Sequence, residues 1–542
     1  MNKKKIFLAL LPVFLLTTLL VGCGNNNETR DKKTLELTSS TQINTMDSSL
    51  NTDMYGAQNL TNTMSGLYRY DGDKLEPDLA KSVVKPTNDG KTYTFELRKS
   101  KWSNGKYVTA DDFVYAWRRI VDPQTASQYA YIYSGVKNAD DIMIGKNPVD
   151  SLGIKALGKY KLQVDLDQPI PYFNALMTSS QFFPLYKPTV DAAGKQYGLD
   201  SSKMVFNGPF KLVNWKVGNM TWTEVKNDKY WNKNNVKLDT VTYDVIKDSN
   251  TGINLYDTHM VDRFEKIGGD MARQVKTNKD FSIDKQPSTG YIELNQAKNP
   301  ILKNQKIRQA ISLSFDRKEL TENVQGNTAI IDPTVVPSGI SKDPTTGKDF
   351  TENPKLDSLK QYSEYNPKKA AKLWKEGLKE TGGKNLTFTL LGDNTSVKQS
   401  EFLQSQMEKN LPGINIKIEN VPFKNRLQRS TSGDFDMVVS LWNGDYPDPI
   451  TFLNLFTTGN PQNNGKYENK EYDKLINDSS TIHANDPVAR NNDLIQATKI
   501  ITEEQGVIPL YQTVQANLTR PNLKNYEVTP VSLYNLATTY KK

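Results

Sequence analysis

Few residues of this 542-residue chain are of the types that carry covalent or metal chemistry. There is one cysteine, Cys23, and there are two histidines, His259 and His483. Zinc centres and histidine-based triads draw on those side chains. No His-Glu-x-x-His, Gly-x-Ser-x-Gly or P-loop pattern occurs, so neither a metal nor another cofactor is expected. The 61 Asp and Glu residues are the remaining chemically capable set. Two converging carboxyls would serve a glycosidase, but no spacing marks such a pair. Cys23 is placed for a different chemistry. Being alone, it has no partner within the chain for a disulfide. It follows Lys3-Lys4-Lys5, an apolar run from Ile6 to Leu20, and Val21-Gly22. A basic stretch, an apolar stretch too short to span a bilayer comfortably, and a small residue before the cleavage point make an export signal.

The sequence Leu20-Val21-Gly22-Cys23 resembles the lipobox of bacterial lipoproteins at every position. The resemblance implies that residues 1–22 are removed and that Cys23 becomes the acylated first residue of the mature chain. Acyl anchoring scales with buried CH₂ groups, at roughly 0.8 kcal/mol each. Residues 23–34 are mostly polar and read as a flexible tether. No later apolar run reaches the length of a membrane span. The expectation is a water-soluble body held by lipid to the outer face of the cell membrane.

Those chemical groups need a scaffold, and its size argues for several units. A single core rarely serves a chain of this length. The 37% hydrophobic content suits a packed protein, and the net charge of +8 is small beside 69 basic residues. No long basic stretch follows the leader, so nucleic acid is not an expected partner.

Local patterning places the elements. Thr34-Leu35-Glu36-Leu37-Thr38 and Thr92 to Arg98 alternate as strands. Asp53 to Ser65 reads as helical. Leu67 to Gly72 reads as a strand ending in a tight turn. Thr109 caps an amphipathic helix carrying Phe113, Val114, Ala116 and Trp117, with Asp111 and Asp112 in its first turn. Further on, Asn366-Pro367 opens a helix that Gly382-Gly383 stops. Leu386-Phe388-Leu390 and Ile414-Ile416-Ile418 alternate on either side of a helix holding Phe402, Met407 and Leu411. Strand, helix, strand implies a right-handed crossover in a largely parallel sheet. Phe435 to Leu441 reads as another strand.

Certain runs are less anonymous. Tyr93-Thr94-Phe95-Glu96-Leu97-Arg98, Lys101-Trp102-Ser103-Asn104-Gly105 and Val108 to Trp117 are similar to the signature of the peptide-type extracellular solute-binding proteins, the receptors of oligopeptide and dipeptide ABC importers. The likeness continues through Asp122 to Ser127, Asn207-Gly208-Pro209-Phe210, Asn227 to Trp231, Ile307 to Ala310, Phe315-Asp316-Arg317 and Trp442-Asn443-Gly444-Asp445-Tyr446. It covers essentially the whole mature chain, in order, and is nearest to the oligopeptide-binding branch. It implies an α/β clam shell of the periplasmic-binding-protein type with an extra α/β domain. The first lobe would take residues 35–65, 187–287 and 514–542, the extra domain 66–186, and the other lobe 288–513.

The resemblance also implies a site. Asp445 stands where the family's Trp-x-x-Asp places the carboxylate for a peptide's amine. Spacing alone would leave it a loop aspartate. Trp442 and Asn443 would line the cleft, with Ser440, Leu441 and their neighbours pairing with the peptide backbone. Thr52, Asp53 and Met54 match the first-lobe segment that pairs from the opposite side. Tyr129 matches a tyrosine supporting the amine, and Phe423 an aromatic pocket wall. Arg429 is placed to meet a peptide's C-terminus. Some members carry a basic residue three positions before the tryptophan, and here that residue is Val439. Asp448, before Pro449 and an apolar run, reads as a helix cap. Lys303, Lys306 and Arg308 read as a solvated helix face, Trp215 and Trp231 as structural, and the two histidines as surface residues.

The implied function is non-enzymatic: a monomeric, lipid-anchored receptor that captures oligopeptides and hands them to a membrane permease. A pheromone receptor, or a receptor for another ligand on this fold, is the first alternative. A carboxylate-based hydrolase and a surface adhesin are the others.

Overall fold

The computed structural model describes residues 31–542. Cys23 and its apolar leader lie outside the described residues.

Two long antiparallel strands, Phe281–Leu294 and Ile508–Thr519, form the axis of the molecule. They sit in the middle of an 11-stranded sheet. Beyond Phe281–Leu294 lie Met437–Asn443, Leu386–Asp393 and Ile414–Val421, in that order. Beyond Ile508–Thr519 lie Arg263–Phe264, Thr34–Ser39, Thr240–Val245, Thr221–Lys226 and Phe210–Val213. Each side carries its own core. Leu35, Leu60, Phe210 and Trp215 belong to one hydrophobic cluster, and Ile292, Trp374, Phe388 and Met437 to another. The structure is therefore a two-lobed α/β clam shell joined through two strands. A small antiparallel sheet, with Lys161–Asp165 between Thr92–Glu96 and Ile154–Gly158, forms the extra α/β domain. Its Phe95, Phe113 and Trp117 join the first lobe's cluster.

The connecting strands are irregular at their middle. Four residue steps from Lys285 to Thr289 match two from Val514 to Gln512, and a second shift follows at Gly290 and Tyr291. Pro287 lies in the first irregularity, where its missing N–H costs no ladder bond. The Gly444 N–H donates to the Pro287 carbonyl at 2.8 Å, tying the site loop to this junction.

Local chemistry explains the element boundaries. Asp53 caps Met54–Thr63 by accepting from the Gly56 N–H at 2.8 Å. Thr109 and Asp112 form a reciprocal capping box on Ala110–Val121. Asn366 caps Pro367–Thr381, which Gly382 ends at φ 71°. The crossover Leu386–Asp393, Val397–Asn410, Ile414–Val421 is present, with its strands parallel and in register from Leu386 opposite Ile414.

Two expectations are corrected. The sheet is mixed: parallel pairing is confined to three strands in each lobe, and the pairs between and beyond them are antiparallel. Arg308 is no surface residue. It is buried and donates to the carbonyls of Leu302, Lys303, Glu504 and Gln505, which gather around the helix start where Gln305–Leu313 begins.

Candidate functional site

Along Met437–Asn443, one edge pairs with Phe281–Leu294 from Met437 opposite Leu294 to Asn443 opposite Ser288. The other edge pairs with Leu386–Asp393 only at Met437 and Val438. From Val439 to Asn443 that edge meets no strand among the described residues. A bare edge presents N–H and C=O groups in the spacing that an extended chain completes. Ser440 is buried, whereas Leu441 is 47% exposed and Asn443 is exposed.

The edge runs into a cavity of about 330 Å³ that both lobes line. Its wall is made by Asn51 to Met54, by Tyr129 and Gln181, by Gln286 and Pro287 of the connecting strand, and by Asn443 to Asp445. The chain's final segment returns to contribute Ser532 and Leu533. It is tethered there by reciprocal bonds at 2.7 Å between the Gln58 amide and the Tyr534 backbone. Two adjoining spaces of about 50 and 300 Å³ share Met54, Ser532 and Gln286 with this cavity and continue it along the cleft. Asn51 Oδ1 and Ser532 Oγ are buried on its wall with no hydrogen-bond partner among the described residues, and so is Trp442 Nε1 beside it. Such atoms are costly to bury unless something completes them.

Asp445 closes one end. Its backbone N–H donates to Thr451 Oγ1 at 3.3 Å, and its Oδ1 accepts from the Tyr131 hydroxyl at 3.4 Å. Burial pushes the carboxyl above its ordinary range, and the Tyr131 bond only partly offsets this. No basic side chain forms an ion pair with it among the described residues. Asp448, three residues on, accepts the Ile450 N–H at 3.0 Å, although the cap position of Ile450–Leu453 itself is Pro449, one residue later than expected. It also takes a two-point ion pair from Arg490 at 2.7 and 2.9 Å. That pair anchors the loop carrying Asp445.

The structure thus brings Thr52, Asp53, Met54, Tyr129, Asn443 and Asp445 to one cavity. Asp53 is present there, but its carboxylate is engaged by Gly56 and by Asn44 Nδ2 at 3.0 Å. Ser440, Leu441 and Trp442 lie on the approaching strand. Phe423 opens the helix Phe423–Ser432 and is 58% exposed, away from the cavity lining. Arg429 is corrected as a group free to meet a C-terminus. Its guanidinium is paired with Glu419 at 2.6 Å and Asp434 at 2.9 Å. Sequence reasoning passed over Tyr131, Gln286 and Ser532, which sit in stretches with no polar pattern of their own. His483 pairs with Asp493 at 2.6 Å. No cluster of three or more His, Cys, Asp or Glu residues placed for a metal occurs among the described residues, and no described helix is long and apolar enough to cross a membrane.

Residues 74–464 match the model of the bacterial extracellular solute-binding proteins, family 5. The chain belongs to that family, in its peptide-binding type. A dipeptide-binding protein of Lactococcus lactis subsp. cremoris is 38% identical to this family member over 540 residues, covering 96% of this chain and 95% of its own. The oligopeptide-binding protein OppA of Bacillus subtilis is 31% identical, covering 93% and 92%. Among solved structures, Listeria monocytogenes OppA bound to peptide superposes with a TM-score of 0.72 at 40% identity, covering 94% of this chain and 99% of that one. Family 5 members are extracellular solute-binding proteins, so this chain is an extracytoplasmic binding protein.

Proposed function

We propose that this protein is the lipid-anchored receptor of an oligopeptide ABC importer. An extended peptide adds to the bare edge from Val439 to Asn443 through backbone bonds. Its ammonium group sits against Asp445, with Tyr129 and Tyr131 beside it. Thr52 to Met54 meet it from the other lobe, so a bound peptide favours the closed arrangement that docks on the permease. The proposed division into 35–65, 187–287 and 514–542, against 288–513, places these two walls on opposite lobes, with 66–186 as the extra domain. Cys23 carries the acyl anchor, and the receptor works as a monomer.

The single observation that carries this reading is the uncovered edge from Val439 to Asn443, which runs to an unpaired carboxylate inside a cavity lined by both lobes. A backbone-reading site suits peptides of varied sequence, because the contacts it makes are common to all of them. The relatives named dipeptide- and oligopeptide-binding proteins support the same ligand class. The test is mass spectrometry of small molecules released from the purified soluble chain, residues 24–542, on denaturation. A nested mixture of intact peptides supports the receptor. One defined peptide points to signalling. A non-peptide compound sinks the reading, and cleaved products from an added peptide would indicate a hydrolase.

A further inference from the structure

A further cavity, of about 430 Å³, shares no lining residue with the peptide cavity or with the two spaces that continue it. Its size is that of a small-molecule site, for which the range is roughly 300–1,000 Å³. Lys285 and Gln512 of the connecting strands line it, together with residues between Ile330 and Lys360. Gln512 is 1% exposed and ties this wall to that of the cleft. Its side-chain amide donates to the carbonyls of Gln286 at 3.0 Å and Ser338 at 2.8 Å. Gln286 lines the peptide cavity, and Ser338 lines this one. The cavity is therefore a separate space beside the hinge.

One carboxyl on its wall is incomplete. Asp332 lines the cavity and is only 5% exposed. Its Oδ1 accepts from the Thr334 N–H at 3.0 Å and from the Thr334 hydroxyl at 3.3 Å. Its Oδ2 has no hydrogen-bond partner among the described residues, and no basic side chain forms an ion pair with it there. Either protonation state leaves a cost. Ionised, Oδ2 holds buried charge without a donor; protonated, its O–H lacks an acceptor. Asp349 lines the same cavity with both oxygens committed. Its Oδ1 accepts from the Thr351 N–H at 2.9 Å and hydroxyl at 2.6 Å, and its Oδ2 from the Gly339 N–H at 2.6 Å. One open oxygen does not suit a calcium ion, which takes about six to eight oxygen ligands. It suits a hydrogen-bond donor carrying a single positive charge. Asp349 and Glu352 add negative charge around it, and Ile331 and Leu356 add apolar surface.

We propose that this cavity is a second ligand site, for a small organic ammonium compound. The ammonium N–H groups complete Asp332 Oδ2, and a short apolar stem lies along Ile331 and Leu356. The site stands independently of the peptide-receptor reading, because none of its residues belongs to the cleft.

The experiment is saturation-transfer difference NMR of n-pentylamine and of 1-pentanol with the soluble chain, residues 24–542. The two probes share a stem and differ in the head group. The work is done at pH 8, above the value of about 7 to which burial raises Asp332, so the carboxyl is mostly ionised while the amine keeps its proton. The wild type should bind pentylamine roughly tenfold or more tightly than pentanol. The preference should persist in Asp445→Ala, which removes the carboxylate of the peptide cavity, and fall to within about twofold in Asp332→Asn. Ile331→Lys, at a position 49% exposed, brings a tethered ammonium to the same wall and should also remove the preference. A failure of Asp332→Asn to fold therefore does not block the test. Equal affinities of the two probes for the wild type, or no binding by either, overturn the site. Loss of the preference in Asp445→Ala, which would put the amine in the cleft, or its survival in Asp332→Asn overturns it as well.

Discussion

Tyr172 and Tyr446, far apart in the chain, stack face to face, with ring centroids 4.1 Å apart and planes 6° from parallel. Tyr446 directly follows Asp445, so the stack holds the backbone beside the cavity-lining carboxylate. Tyr172 and Tyr446 each pack against two hydrophobic clusters, one holding Leu35 and Phe95 and the other Phe452 and Ile495. The pair therefore acts as a clasp between the two bodies, beside the Tyr131–Asp445 hydrogen bond and the Lys342–Asp73 ion pair.

Removing one ring should loosen the clasp. Such pairs contribute about 0.5–1.5 kcal/mol beyond their buried area. Tyr172→Ala should weaken peptide binding by roughly two- to tenfold, mainly through faster release. Stopped-flow dissociation of a fluorescent peptide measures this. An unchanged off-rate would show that the stack is not part of closure.

Asp445→Ala should cost far more. Truncating one partner of a buried charge pair typically loses about 2–5 kcal/mol, so affinity should fall by at least roughly thirtyfold. An N-acetylated peptide should lose affinity for the wild type but little more for the variant. The pH dependence follows from the raised carboxyl. Only the ionised form attracts the ammonium, so affinity should decline on acidification, starting above the ordinary aspartate value of about 3.9. Calorimetry from pH 8 to 4 tests this, with Asp445→Asn expected to be flat over the same range.

Asp332 gives a stability prediction away from the cleft. Burial raises its carboxyl to about 7, with the Thr334 N–H pulling the other way. In the unfolded chain the group titrates near about 3.9. Between those values the native state holds a proton that the unfolded state has lost, so this residue's contribution to stability falls as pH rises through the window. Asp332→Asn does not titrate and can keep the acceptor for Thr334. It should match the wild type near pH 4 and exceed it by roughly 1–4 kcal/mol at pH 8. Urea unfolding at the two pH values decides it, and a difference independent of pH would contradict the assignment.

Gly290 sits at the second irregularity between the connecting strands. A Cβ there would lie 2.7 Å from the Tyr511 ring. Gly290→Ala should therefore destabilise by about 1–3 kcal/mol through forced repacking. Because the site is in the hinge, it should also change the rate of closure on peptide. Thermal unfolding reads the first effect and stopped-flow tryptophan fluorescence the second.

Much of this architecture is legible in the chain itself. Caps at Thr109 and Asn366, the stop at Gly382, and the alternation at Leu386 and Ile414 act within a few residues, so local chemistry names them. The motif runs from Tyr93 to Trp117 and at Trp442 to Asp445 identify the family, and with it the likeness of Asp445 to an amine-binding carboxylate. Other roles depend on groups distant along the chain. Arg426 and Arg429 stand three residues apart on one helix, yet the first is buried beside Ser440 and the second is paired with Glu419 and Asp434. The helical turn separates their directions, and only the neighbouring strands determine which finds a carboxylate. Arg308 likewise is buried because carbonyls nearly 200 residues away converge on it. The strand at Met437–Asn443 could be read from its residues, but its bare edge could not. Pairing is a property of two strands' relative placement, so the sequence determined the strand, and the tertiary structure alone decided that five of its residues meet no strand on that edge among the described residues.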